Sequence, residues 1–156
     1  MRGRERERGT SEVTQSDPTA IRRVLEAAGL ELYGGDDETI VLAERVRLHI
    51  MDSGVRVTRA HAGLAVEFTA RSQRSDHPHD PEPALFDLVR ARVGPEARER
   101  GYVEKDARRT EVRDPTDATR VLDVWYEIVY EKPVRGPEDL VDEVRWALSV
   151  DKFVHG

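Results

Sequence analysis

Residues 121–132 constrain the fold more than any other stretch. Leu122, Val124, Tyr126, Ile128 and Tyr130 occupy every second position, the period of a β-strand with one buried face. The alternate positions carry Asp123, Trp125, Glu127, Val129 and Glu131. That second face is partly apolar, which points to a central position in a sheet or to a second packing surface. A strand of this kind needs neighbours on both sides and cover on at least one face.

The rest of the chain supplies them. Asp17 followed by Pro18 is an N-cap with proline at the first helical position, and Ile21, Val24, Leu25 and Ala28 then share one helical face. Gly29 is the expected stop, so a helix is predicted over residues 18–29. Alternation at Val46, Leu48 and Ile50 predicts a strand over residues 39–51, whose first part, residues 39–43, reads as a more buried piece of that strand or as a short helix. Asp52-Ser53-Gly54 has turn chemistry, and strands at 55–60 and 64–73 complete a three-strand meander. Pro78, Pro81 and Pro83 prevent a strand from continuing. A second helix is expected from about Asp80, with Leu85, Leu88, Val89 and Val93 inward and Gly94-Pro95 interrupting it. Residues 102–112 then pair with the strong strand through a turn at Asp114-Pro115-Thr116-Asp117, and a last helix starts at Gly136-Pro137. Its inner stripe is Leu140, Val141, Val144, Ala147 and Leu148, with Trp146 off the stripe. Phe153 and Val154 are expected to fold back onto the body, whereas His155 is expected to be mobile.

The order α-β-β-β-α-β-β-α predicts an α+β protein, a two-layer sandwich of about five antiparallel strands and three helices. Its expected extent is residues 17–156 as a single domain, behind a charged, disordered tail at 1–16. The chain has 156 residues, an ordinary size for one domain. It has no cysteine, which excludes disulfide frameworks, Cys-type zinc sites and cysteine nucleophiles.

Charge narrows the partners. The net charge is −6; residues 1–10 contribute +2 (four Arg against two Glu), which leaves −8 for the remainder. An acidic body is poorly attracted to phosphate backbones or anionic lipid, so neither nucleic acid nor membrane is an expected partner. No apolar run approaches the ~20 residues that span a bilayer, and the N-terminus has no apolar stretch of a secretory signal. The expected location is the bacterial cytosol.

Motifs for chemistry are sparse. G-x-S-x-G, G-x-G-x-x-G, HExxH and EF-hand patterns are absent. Asp76, His77, His79 and Asp80 are divalent-metal ligand types crowded into a short loop, but proline-rich spacing and the need for a further ligand such as His49 or His61 make hydration of an exposed loop the simpler account. No cofactor is expected. His49 or His61 beside a carboxylate is the candidate general base if the chain is an enzyme.

The aromatic residues point elsewhere. With Tyr126 and Tyr130 toward the helices, Trp125 and Val129 look the other way, onto a face that a two-layer sandwich leaves open. An apolar spot rimmed by charge has the composition of a protein interface, although cross-strand packing is an equal account. The element order is also similar to that of type III secretion chaperones and of small bacterial regulators with the same sandwich, which implies a chaperone or adaptor role. The expectation is therefore a non-enzymatic protein-binding module, a homodimer or partner-bound, with Trp125, Val129, Glu127 and Trp146 at its interface. The alternative is a small enzyme or ligand-binding domain with a His/carboxylate pocket between sheet and helices.

Overall fold

The computed structural model describes residues 17–60 and 63–155; the expected tail at 1–16 and His61 lie outside them, as do Ala62 and Gly156. The elements are α1 (Pro18–Ala27), β1 (Leu32–Gly35), β2 (Thr39–Val46), β3 (His49–Ala60), β4 (Gly63–Gln73), α2 (Glu82–Arg100), β5 (Val103–Asp114), β6 (Asp117–Val134) and α3 (Pro137–Ser149). The strands form an open antiparallel sheet of order β1-β2-β3-β4-β6-β5. The α+β class and the three helices agree with the sequence. The sheet has six strands, not five.

Packing divides the chain into two compact units. One takes residues up to Glu67 together with Pro133–Ser149, and the other takes Phe68–Lys132 and Val150–Gly156. In the first unit, the N-cap of α1 is Asp17, whose carboxylate accepts the Thr19 N–H (3.0 Å). Ile21 and Leu25 are the buried stripe of α1, and Leu140, Val144 and Ala147 that of α3, which packs on β3 and α1. Leu42, Val55 and Val57 fill the sheet side of this core.

The strand missed by the sequence is β1, too short and glycine-rich to show a period. It pairs Leu32 with Leu42 and Gly35 with Ile40 across a tight turn. There the Asp36 carboxylate accepts the N–H groups of Glu38 (2.8 Å) and Thr39 (2.9 Å). Gly35 has φ 128, and a Cβ at this position would stand 2.1 Å from the Thr39 carbonyl oxygen.

Two expectations about the meander are corrected. Residues 39–51 are not one strand, because the chain reverses at Arg47-Leu48 and Val46 pairs with His49. Asp52-Ser53-Gly54 is not a chain reversal but a bulge inside β3, where the register steps from Val41↔Arg56 to Ala43↔Asp52. Side chains replace the lost ladder: Gly54 N–H donates to Asp52 (2.8 Å), Ser53 Oγ donates to the Leu42 carbonyl (2.6 Å), and Val55 N–H donates to Ser53 Oγ (3.1 Å).

In the second unit, Phe68 stacks on Tyr130 (5.3 Å) and meets Tyr102 edge-on (5.1 Å), while Tyr126 meets Phe86 of α2 edge-on (5.3 Å). Leu85, Val89, Val93 and Ala97 are the buried face of α2. The helix runs unbroken through Gly94-Pro95, where an interruption was expected. The missing Cβ of Gly94 relieves the clash that proline imposes on its predecessor, and the Tyr130 hydroxyl lies 3.5 Å from where that Cβ would stand. Burial at Tyr130 pushes its phenol above the ordinary value of 10.0.

Two measurements check these packings. Gly35→Ala is expected to lower stability in denaturant melts by about 2 kcal/mol, since the new Cβ has no room and the φ is strained. The phenolate absorbance lost in Tyr130→Phe is expected to lie above pH 10.0. Because the folded value is the raised one, the unfolded chain ionises first and stability falls above its own titration point.

Candidate functional site

The expected open face at Trp125 and Val129 is covered. Residues 126–130 of β6 are all buried, with Val129 at 2% and Glu127 at 5% exposure. Five consecutive buried residues mean cover on both faces, as the partly apolar second face of this strand had indicated. Neither Val129 nor Glu127 is therefore an exposed anchor. Trp125 is half-buried in the second unit, and Trp146 is half-buried on α3 in the first.

Glu127 is paired within the fold rather than displayed. Its carboxylate accepts the Thr110 hydroxyl and lies 3.5 Å from Arg71 and 3.7 Å from Arg108. The Arg71 guanidinium also lies over the Trp125 ring, 4.3 Å from its centroid. Phe153 stands edge-on to Trp125 (6.3 Å). The fold-back of Phe153 and Val154 is as expected. His155 Nδ1 lies 2.9 Å from the Asp76 carboxylate, a contact that holds the Asp76 carboxyl below its ordinary value.

The loop of Asp76, His77, His79 and Asp80 does not converge on a point. Asp76 pairs with His155, and His77 Nδ1 lies 3.3 Å from Asp80. His77 Nε2 is buried without a hydrogen-bond partner, and His79 lies on the exposed side of the loop. Among the described residues no group of three or more His, Asp or Glu side chains is placed to hold a metal ion. No described helix is long and apolar enough to cross a membrane.

The sheet edges are guarded. β5 presents Glu104, Lys105, Asp106, Arg108, Arg109, Glu111 and Arg113, with ion pairs Arg90–Glu104 (2.7 Å), Lys105–Glu131 (2.9 Å) and Arg109–Glu111 (2.9 Å). Such a charged edge resists addition of another strand, and β1 at the opposite edge is only four residues long.

Sequence reasoning missed the tip of the β2–β3 hairpin. Leu48 is 96% exposed, and Val46, Ile50 and Met51 around it are exposed too. Cross-strand pairing puts Val46 and Met51 on one face of the ribbon, with Ile50 and Arg45 on the other. Apolar groups thus wrap the end of the hairpin rather than lining one side. His49, expected on the polar face of a strand, flanks this turn. Arg47 sits at φ 58, a left-handed conformation that costs a non-glycine residue roughly 1–2 kcal/mol. The alternation at Val46, Leu48 and Ile50 imitates a continuous strand, and no Gly, Asn or Asp marks the reversal, so periodicity alone misplaced these side chains.

The same unit has a small apolar depression. Pro18, Ile21, Ile40, Val57 and Leu64 line it together with Asp37, Glu38, Thr39 and Arg59. Its empty space is about 180 Å³ with open solvent included. That is below the ~300 Å³ at which sites for drug-sized ligands begin. It suits one side chain better than a cofactor.

Comparison with protein-family models, curated proteins and solved structures finds no match. Two substitutions test the local accounts. Glu127→Ala leaves Arg71 without its buried counter-ion and is expected to cost about 3 kcal/mol in denaturant melts. Arg47→Gly removes the strain at φ 58 and is expected to raise stability by about 1 kcal/mol.

Proposed function

We propose that this chain is a non-enzymatic protein-binding module whose docking element is the β2–β3 hairpin tip, and that the chain it docks on is a second copy of itself. The carrying observation is Leu48, a large apolar side chain held almost fully in water on a strained turn. Strain of this sort persists where the surrounding structure enforces it and tends to accompany function. Val46, Ile50 and Met51 extend the apolar surface behind it.

Complementarity supports a second copy. Arg47 and His49 flank the apolar tip, whereas the depression on the same unit has an apolar floor and the carboxylates Asp37 and Glu38 against the single guanidinium of Arg59. The depression is shallow and open to solvent, so it offers a leucine side chain an apolar contact rather than an enclosing cavity. Insertion of one copy's tip into another's depression is a heterologous contact, which closes into a ring or extends as a chain of copies. The small area implies weak, concentration-dependent association rather than a permanent dimer.

Sedimentation of the intact chain tests this reading. The average mass is expected to rise above 17.7 kDa as concentration is raised toward about 500 µM. Leu48→Asp is expected to hold the chain at monomer mass with melting stability changed by less than about 0.5 kcal/mol. A wild-type chain that stays monomeric throughout, or a variant that associates equally well, removes the reading.

A further inference from the structure

The second compact unit holds the C-terminal segment against β4. There the C-terminal segment is bound as a ligand is bound. Arg71 N–H donates to the Lys152 carbonyl (2.8 Å), and Val154 N–H donates to the Arg71 carbonyl (2.8 Å). These two bonds make a single parallel bridge between Arg71 of β4 and Phe153. Residues two apart on an extended segment point to the same side. Phe153 and His155 accordingly both meet the side chains beside β4. Phe153 stands edge-on to Trp125, with the Arg71 guanidinium 5.8 Å from its ring centroid. His155 stacks on Phe153 (5.2 Å between centroids) and reaches the carboxylate of Asp76, to which Gln73 also donates (3.2 Å).

This division of labour is that of a peptide site that works by strand addition. Main-chain bonds supply affinity, and seats for alternate side chains supply selectivity. We propose that Arg71, Trp125 and Asp76 form a docking slot for an extended partner peptide bearing an aromatic residue and, two positions on, a histidine or other basic residue, and that residues 152–155 occupy this slot as a competing self-ligand. The seated segment shows the chemistry the slot accepts. The aromatic enters beside the indole under the Arg71 guanidinium, and the basic group meets the carboxylate. The Arg71 guanidinium also lies 3.5 Å from the Glu127 carboxylate, a contact that does not involve the segment. A partner peptide gains access only as the self-ligand leaves, which lowers its apparent affinity by the fraction of chains with an open slot.

The test uses the full chain and a synthetic heptapeptide of residues 150–156. Phe153→Ala in the chain vacates the aromatic seat, and that variant is expected to bind the heptapeptide at least about tenfold more tightly than the unaltered chain in calorimetric titration. Asp76→Asn in the variant chain, or Phe153→Ala in the peptide, is expected to remove the gain. His155→Ala in the chain disturbs only the exposed end of the segment and provides a second opening, with an expected gain of about threefold. Near-ultraviolet circular dichroism reports whether each variant is folded. Folded variants that bind no better than the unaltered chain, or a gain that survives Phe153→Ala in the peptide, overturn the proposal.

Discussion

Cover on both faces of β6 decides what surface is left for function. Residues 126–130 combine two tyrosines, Ile128 and Val129 with one carboxylate, and all five are buried. A glutamate in such a place persists only if its charge is met, and Thr110, Arg71 and Arg108 meet it. The guanidinium drawn in by Glu127 is also the one that lies on Trp125. One buried carboxylate thus organises the indole, the end of β4 and the seat of Phe153. Residues 126–130, which looked most like an interface, are instead enclosed, and Leu48 at the β2–β3 tip is the most exposed of the large apolar side chains described.

Periodicity exposed most of the architecture. Alternation along residues 121–132, the Asp17-Pro18 start of α1 and the Gly136-Pro137 start of α3 are local signals of element type, and those elements form, although Leu122 of the expected buried face stays exposed while Glu127 and Val129 of the other face are buried. The errors occur where local chemistry has two solutions. Asp52-Ser53-Gly54 has residues that suit a reversal or a bulge, and only the register against β2 decides. Gly94-Pro95 reads as an interruption, yet with no Cβ on Gly94 the helix passes through. Around Arg47 a hairpin reversal carries no turn residue at all.

The candidate sites were less legible. Leu48 has the alternating position of a buried strand residue, so sequence spacing assigns it to a core that it does not enter. The slot beside β4 depends on residues far apart in the chain: Arg71, Asp76, Trp125 and Phe153. Spacing could indicate that Phe153 folds back, but not which strand receives it. His155 was read as mobile because nothing local holds it; its partner, Asp76, is brought near only by the fold.

Two features of the structure bear on strand pairing. Charge along β5 blocks strand addition at the long edge, and the C-terminal segment fills the slot beside Arg71. The β2–β3 tip carries neither kind of guard, which is why it is central to the account. The most direct test is to place a photo-reactive phenylalanine at position 48 and irradiate the chain at concentrations where its mass rises. Peptide mapping of the cross-linked species is predicted to join position 48 of one copy to residues 37–40 or 57–59 of another. Cross-links confined to a single chain, or spread evenly over its surface, would contradict it.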